Sequence, residues 1–168
     1  SPTIAVTTKA AQLKAEGRDV IGLGAGEPDF DTPENIREAA KRAIDAGKTR
    51  YTAVDGIPEL KAAICAKFKR ENGLTYTPAQ ITVGTGGKQV LYNAFMATLN
   101  PGDEVLIPTP DYPLYTAVTT LSGGTPVHYR CDEQSDWYPD IADIRARINH
   151  RTKAILVINP NNPTGAVY

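Results

Sequence analysis

Ile81-Thr-Val-Gly-Thr-Gly-Gly-Lys-Gln-Val-Leu-Tyr-Asn-Ala-Phe-Met-Ala-Thr-Leu99 joins a short β-prone run, a glycine-rich turn and a helical apolar pattern. It predicts strand, anion-binding turn and helix in that order. Gly84, Gly86 and Gly87 let the backbone turn sharply and bring its N–H groups close to a ligand, and the helix start adds a partial positive charge. A phosphate is the natural occupant. The commonest phosphate loop, GxxxxGK[ST], would need Gly where Thr82 stands and Ser or Thr where Gln89 stands. GxGxxG fails as well, because Gln89 occupies the third glycine position after Gly84 and Gly86. The turn therefore speaks for a phosphate and against an ordinary nucleotide. A glycine turn that only packs a strand on a helix is the plainer alternative.

Composition bounds what such a site could serve. The chain has 168 residues, 41% hydrophobic and 22% charged, enough for one core. A net charge of -1 with acids and bases interspersed leaves no electrostatic footprint for nucleic acid or an anionic membrane, so the expected ligand is small. Cys65 and Cys131 are far apart and form no CxxC pair, which suggests neither a disulfide framework nor a zinc site and fits a reducing, cytoplasmic setting. The first residues lack the apolar core of a signal peptide, and no later run approaches the ~20 apolar residues of a membrane span.

Outward from the central stretch, the same kind of pattern continues. Val105, Leu106 and Ile107 read as a short buried strand, followed by the irregular Pro108-Thr-Pro-Asp-Tyr-Pro113. This puts Tyr112 and Tyr115 on a loop at the strand's carboxyl end, where ligands bind in open parallel sheets. A helix through about Leu121 is stopped by Gly123-Gly124, and Val127, Tyr129 and Cys131 alternate as the next strand. His128 lies on the other face of that alternation and reads as an exposed strand histidine without a partner. Residues 140–148 read as an amphipathic helix, and 154–159 as a strand buried on both faces. Asn159-Pro-Asn-Asn-Pro-Thr-Gly165 then turns off the strand end.

Upstream, Thr32 reads as the N-cap, with Pro33 and Glu34 opening a helix over 35–46 that Gly47 closes; Ile36, Ala39, Ala40, Ala43 and Ile44 form its apolar face. A second helix over 59–72 is stopped by Gly73, with Leu60, Ala63, Ile64 and Phe68 inward. A weak helical pattern covers 3–16. The fold class expected is α/β: a three-layer αβα arrangement around a mostly parallel sheet. Residues 1–35 are expected to be an arm or small-domain segment, and 36–168 the amino-terminal part of a large domain. Three loops then meet at strand ends, offering an anion cradle, an aromatic face and a side-chain amide, parts that suit a flat phosphorylated heteroaromatic ligand.

Five segments carry a family resemblance: Ala25-Gly-Glu-Pro-Asp-Phe-Asp-Thr-Pro33, Tyr51 with Gly56-Ile-Pro-Glu-Leu60, Gly84-Thr-Gly-Gly-Lys-Gln89, Pro101-Gly-Asp-Glu-Val105 and Asn159-Pro-Asn-Asn-Pro-Thr-Gly165. Together they resemble the fold-type I, aspartate-aminotransferase-like enzymes that use pyridoxal 5'-phosphate. The first hundred residues are most similar to the aspartate/prephenate branch, and the stretch from Pro108 onward to the alanine-transaminase branch. The resemblance implies that amides near Gly86, Gly87 and Lys88 hold the cofactor phosphate, that Tyr112 stacks on its ring, and that Asn162 donates to the ring's phenolic oxygen. It implies that Gly26 approaches the substrate carboxylate and that Tyr51 reaches the phosphate of the other subunit in a homodimer.

By the same resemblance the Schiff-base lysine, the aspartate at the pyridine nitrogen and the arginine for the substrate carboxylate lie beyond the Asn-Pro-Thr-Gly motif, so no catalytic residue is expected in this sequence, which ends at Tyr168. Lys88 matches the phosphate turn and is no substitute. The chain is expected to be the amino-terminal part of a longer enzyme or half of a split one, since alone it would expose unpaired sheet edges and a halved core. The activity implied is amino transfer between an α-amino acid and a 2-oxo acid, of aspartate or alanine type, with glutamate and 2-oxoglutarate as the partner pair. A lyase or synthase on the same scaffold, or a non-catalytic cofactor-binding fragment, is the alternative.

Overall fold

The computed structural model describes residues 2–24 and 26–168; Ser1, and Ala25 of the first quoted motif, lie outside the described residues. The chain forms two compact units, Ser1–Tyr51 and Thr52–Tyr168. The first holds helices α1 (Pro2–Ala15) and α2 (Glu34–Asp45). Val6, Ala10 and Leu13 of α1 line an apolar cleft of about 500 Å³ together with Val20, Ile21 and Leu23. At α2, Pro33 rather than Thr32 takes the N-cap position, and no side chain caps the helix. Proline fixes φ near the helical value and brings no N–H that would need a partner. Ile36 and Ile44 of α2's apolar face are more than half exposed.

The second unit is the α/β body. Its elements are α3 (Pro58–Asn72), α4 (Gly87–Thr98), β1 (Glu104–Thr109), α5 (Leu114–Leu121), β2 (Thr125–Arg130), α6 (Ile141–Arg147) and β3 (Thr152–Ile155). The three strands form a parallel sheet in the order β2-β1-β3. β1 is central and buried from Glu104 to Pro108, and its alternation builds both faces of the core. Val105 and Ile107 pack with Phe95 of α4, Leu99 at its C-cap and Val118 of α5, while Leu106 packs on the opposite face with Tyr129, Cys131 and Ile144 of α6. Helices on both sides of a parallel sheet give the three-layer architecture expected from the alternating pattern. No helix among the described residues is long and apolar enough to cross a membrane.

Two strand expectations are corrected. Residues 81–84, extended at Ile81, join no ladder; Val83 N–H instead donates to Asp55 O at 3.0 Å. β-propensity specifies an extended backbone, whereas a strand also needs a neighbour, and no described strand lies beside this segment. The run expected over 154–159 leaves the ladder at Ile155. Leu156 N–H still donates to Leu106 O at 2.8 Å, but the next rung would need an N–H from residue 108, which is proline. The Leu156 carbonyl is satisfied from elsewhere. Tyr129 of β2, whose backbone stands in register with Pro108, donates its hydroxyl to Leu156 O at 2.8 Å.

Burial, then the neighbouring Cys131 and Tyr168, push the Tyr129 phenol far above its ordinary value, so it stays a donor. Replacing Tyr129 by Phe leaves that carbonyl unpaired under a buried ring and is expected to destabilise the protein by about 1–3 kcal/mol. Denaturant unfolding of the two proteins measures the difference.

Candidate functional site

The glycine turn is organised by its own backbone and by α4. Gly86 has φ +81°, a left-handed conformation that a side chain disfavours, and its N–H donates to Gly84 O at 3.0 Å. Thr85 N–H donates to Oε1 of Gln89, which reaches back from the first turn of the helix. Both donors are spent inside the turn. The N–H groups of Gly87, Lys88 and Gln89 have no carbonyl to meet within α4 and form the open donor set of the helix start. A Cβ at Gly86 or Gly87 would touch nothing within 4 Å, so the concavity is open. Gly84 serves packing instead: a Cβ there would come within 2.8 Å of Val90 Cγ2.

The aromatic face lies beside this cradle. Lys88 Nζ stands 5.5 Å from the centroid of the Tyr112 ring, and that ring meets Tyr115 edge-on, with centroids 6.1 Å apart and planes at 72°. Tyr112 holds the Lys88 ammonium above its ordinary value, first by hydrogen bonding and then by charge. Burial, followed by the charges of Tyr112 and Asp111, raises the Tyr115 phenol. The site therefore presents an ammonium group, three backbone donors and an aromatic surface. Tyr112 sits on the loop as expected, whereas Tyr115 belongs to the first turn of α5.

β1 and β3 are parallel neighbours, so the loop at 110–113 and the turn at 159–168 leave the sheet at the same carboxyl end. Within that turn the two asparagines have different tasks. Asn161 is buried; its Oδ1 accepts from Thr164 N–H at 3.1 Å and Thr164 Oγ1 at 2.9 Å, and its N–H donates to Ala166 O at 2.8 Å. Its Nδ2 is buried with no partner among the described residues. Asn161 shapes the turn, and Asn162 is left exposed with its amide available. Gly26 and Tyr51 belong to the first unit, where both are exposed.

The structure adds participants that the sequence did not point to. Gln89 breaks two phosphate motifs in the sequence and is given no task there, yet it holds the turn's Thr85 N–H. Lys61, in the first turn of α3, is buried and paired with Asp55, the residue whose carbonyl receives Val83 N–H. That lysine, first through its hydrogen bond, holds the Asp55 carboxyl below its ordinary value. His128 is not a lone strand histidine: its Nε2 lies 2.9 Å from Thr116 Oγ1, which donates to Asp111 Oδ2 at 3.0 Å.

A phosphate joined to a flat ring fits what these residues offer, namely unspent helix N–H groups in an open concavity with an ammonium and an aromatic face alongside. The model of one family, aminotransferase class I and II, matches residues 18–168. Over all 168 residues the chain is 64% identical to the aspartate/prephenate aminotransferase of Cereibacter sphaeroides and 51% identical to the aspartate aminotransferase of Rhizobium meliloti, covering 42% and 41% of those proteins. The aspartate aminotransferase of Thermus thermophilus solved with maleate superposes with a TM-score of 0.95 at 49% identity, over 100% of this chain and 44% of that one. For the alanine aminotransferase of Pyrococcus furiosus the TM-score is 0.93 at 47% identity, over 99% of this chain and 43% of that one. The chain thus spans less than half the length of the relatives it matches, and by the family model over residues 18–168 and its identity to them it belongs to the aminotransferase class I and II family.

Proposed function

We propose that this chain carries the phosphate- and ring-binding part of a pyridoxal 5'-phosphate-dependent aminotransferase that moves an amino group between an α-amino acid and a 2-oxo acid. The observation that carries the proposal is the set of unspent N–H groups at Gly87, Lys88 and Gln89 beside the Lys88–Tyr112 contact. When bound, the cofactor supplies an electron sink for the α-carbon of the amino acid. The residues of this chain hold and orient it. Gly87, Lys88 and Gln89 donate to the phosphate, Gly86 provides the left-handed turn, Tyr112 covers the ring, and the Asn162 amide donates to the phenolic oxygen. Gly26 receives the substrate carboxylate through its backbone.

The proposal extends to specificity, partner pair, assembly and location. Aspartate- or alanine-type specificity is the proposal that their names support, and maleate in the Thermus thermophilus structure is a four-carbon dicarboxylate. Glutamate and 2-oxoglutarate are the proposed partner pair. Tyr51 is proposed to reach the phosphate of a second subunit in a homodimer, and a cytoplasmic location is proposed from the two unpaired cysteines, Cys65 and Cys131.

Assay of the full open reading frame that contains this chain tests the proposal. Amino transfer that requires both an amino acid and a 2-oxo acid is the expected result. Release of pyruvate and ammonia without a 2-oxo acid would replace it with a lyase on the same scaffold.

A further inference from the structure

Tyr112 stands on a loop, residues 110–113, that lies outside the sheet ladder and precedes the helix. Its neighbour Asp111 is the loop's side-chain anchor: Asp111 Oδ2 accepts from Thr116 Oγ1 of α5 at 3.0 Å, and Thr116 Oγ1 lies 2.9 Å from Nε2 of His128 on β2. His128 Nε2 is itself 4.0 Å from Asp111 Oδ2. A threonine hydroxyl has one proton to give and lone pairs to receive. Since that proton goes to the Asp111 carboxylate, the imidazole must be the donor, with hydrogen on Nε2. Loop, helix and strand are then joined by one directed chain, imidazole to hydroxyl to carboxylate. Its acceptor end is one residue from the ring that faces Lys88.

We propose that His128 and Thr116 are positioning residues for the Tyr112 ring: their hydrogen bonds hold Asp111, and through it the aromatic face on which a ring ligand is laid. This inference rests on the cofactor assignment proposed above. It goes beyond that assignment in giving two residues outside the cofactor's own contacts a role in binding its ring and not its phosphate. The backbone of the phosphate cradle is held by contacts of its own, Gln89 at Thr85 and Gly84 at Gly86, so its open N–H groups do not depend on the Thr116 chain, although Lys88 Nζ also faces the Tyr112 ring.

The full-length enzyme, freed of cofactor, would be titrated with pyridoxal 5'-phosphate and, separately, with inorganic phosphate, as wild type, Thr116→Val and Thr116→Ser. Valine keeps the shape and removes the hydroxyl. The expected result is a dissociation constant for pyridoxal 5'-phosphate raised about tenfold in Thr116→Val, the loss of one charge-assisted hydrogen bond, with recovery in Thr116→Ser. Inorganic phosphate should bind the three proteins alike. Equal affinity of wild type and Thr116→Val for pyridoxal 5'-phosphate, or a parallel loss for both ligands, overturns the positioning role. Failure of the wild type to bind pyridoxal 5'-phosphate at all overturns the cofactor assignment and the inference with it. Ring ¹⁵N shifts of His128 in the wild type give a check that does not depend on any variant folding. A proton on Nε2 is expected, and an Nδ1–H tautomer with bare Nε2 contradicts the chain of donors.

Discussion

Replacing Gly56 by Ala is expected to destabilise the protein by about 3 kcal/mol and to weaken anion binding at the glycine cradle. Gly56 has φ +107°, beyond the region that other residues tolerate, and a Cβ there would sit 2.8 Å from Val83 Cγ2 and 2.9 Å from Val83 Cβ. Neither obstacle can be relieved by rotating a flexible side chain, because the valine is branched where the contact falls. The displacement would travel to the site. Val83 N–H is tied to the carbonyl of Asp55, the residue before Gly56, and Gly84 follows Val83 directly. Gly73 provides the comparison: it is also left-handed, at φ +69°, but has nothing within 4 Å of a Cβ. Gly73→Ala should therefore cost only about 1–2 kcal/mol and leave the cradle intact. Chemical denaturation and phosphate titration of both variants separate the two effects.

Leu106→Ala is expected to cost about 3–4 kcal/mol, the range for deleting a fully buried leucine whose surroundings collapse only partly. Leu106 is completely buried at the middle of the central strand, against Tyr129, Cys131 and Ile144, with Val127 alongside. That cluster is the face of the sheet that holds α6. By comparison Ile155, its partner in the β1–β3 register, is 47% exposed, and Ile155→Ala should cost well under half as much. Against the 5–15 kcal/mol typical of a whole domain, the Leu106 loss would be visible as a shifted unfolding midpoint in urea. Equal losses at the two positions would contradict the burial of β1 between two layers.

Much of this architecture was legible in the sequence because its signals are local. Gly73 takes the left-handed C-cap of α3, and Gly123, also left-handed, follows the end of α5. The apolar run at 105–107 has few other uses than a buried strand. What stayed hidden depends on partners distant in the chain. Residues 81–84 have the composition of a strand, but composition cannot supply the neighbour that makes a ladder. His128 is twelve residues from Thr116, and no periodicity announces that the two meet. The early end of β3 could have been found, since Pro108 lacks the N–H that Leu156 needs, but only once the register between the strands is known.

The site divides in the same way. The glycines announced a cradle, while the choice of which N–H groups remain open follows from Gly84 O and Gln89 Oε1, whose roles appear only in three dimensions. The Asn161-Asn162 pair is ambiguous as letters. Burial of the first, with its Oδ1 on Thr164, leaves the second to face outward.

A crystal structure of the full-length protein with pyridoxal 5'-phosphate tests the central claim most directly. The expected result is phosphate oxygens at about 2.7–3.2 Å from the N–H groups of Gly87, Lys88 and Gln89, with the Tyr112 ring over the pyridine. A phosphate held elsewhere, with those three N–H groups bonded only to water, would contradict it.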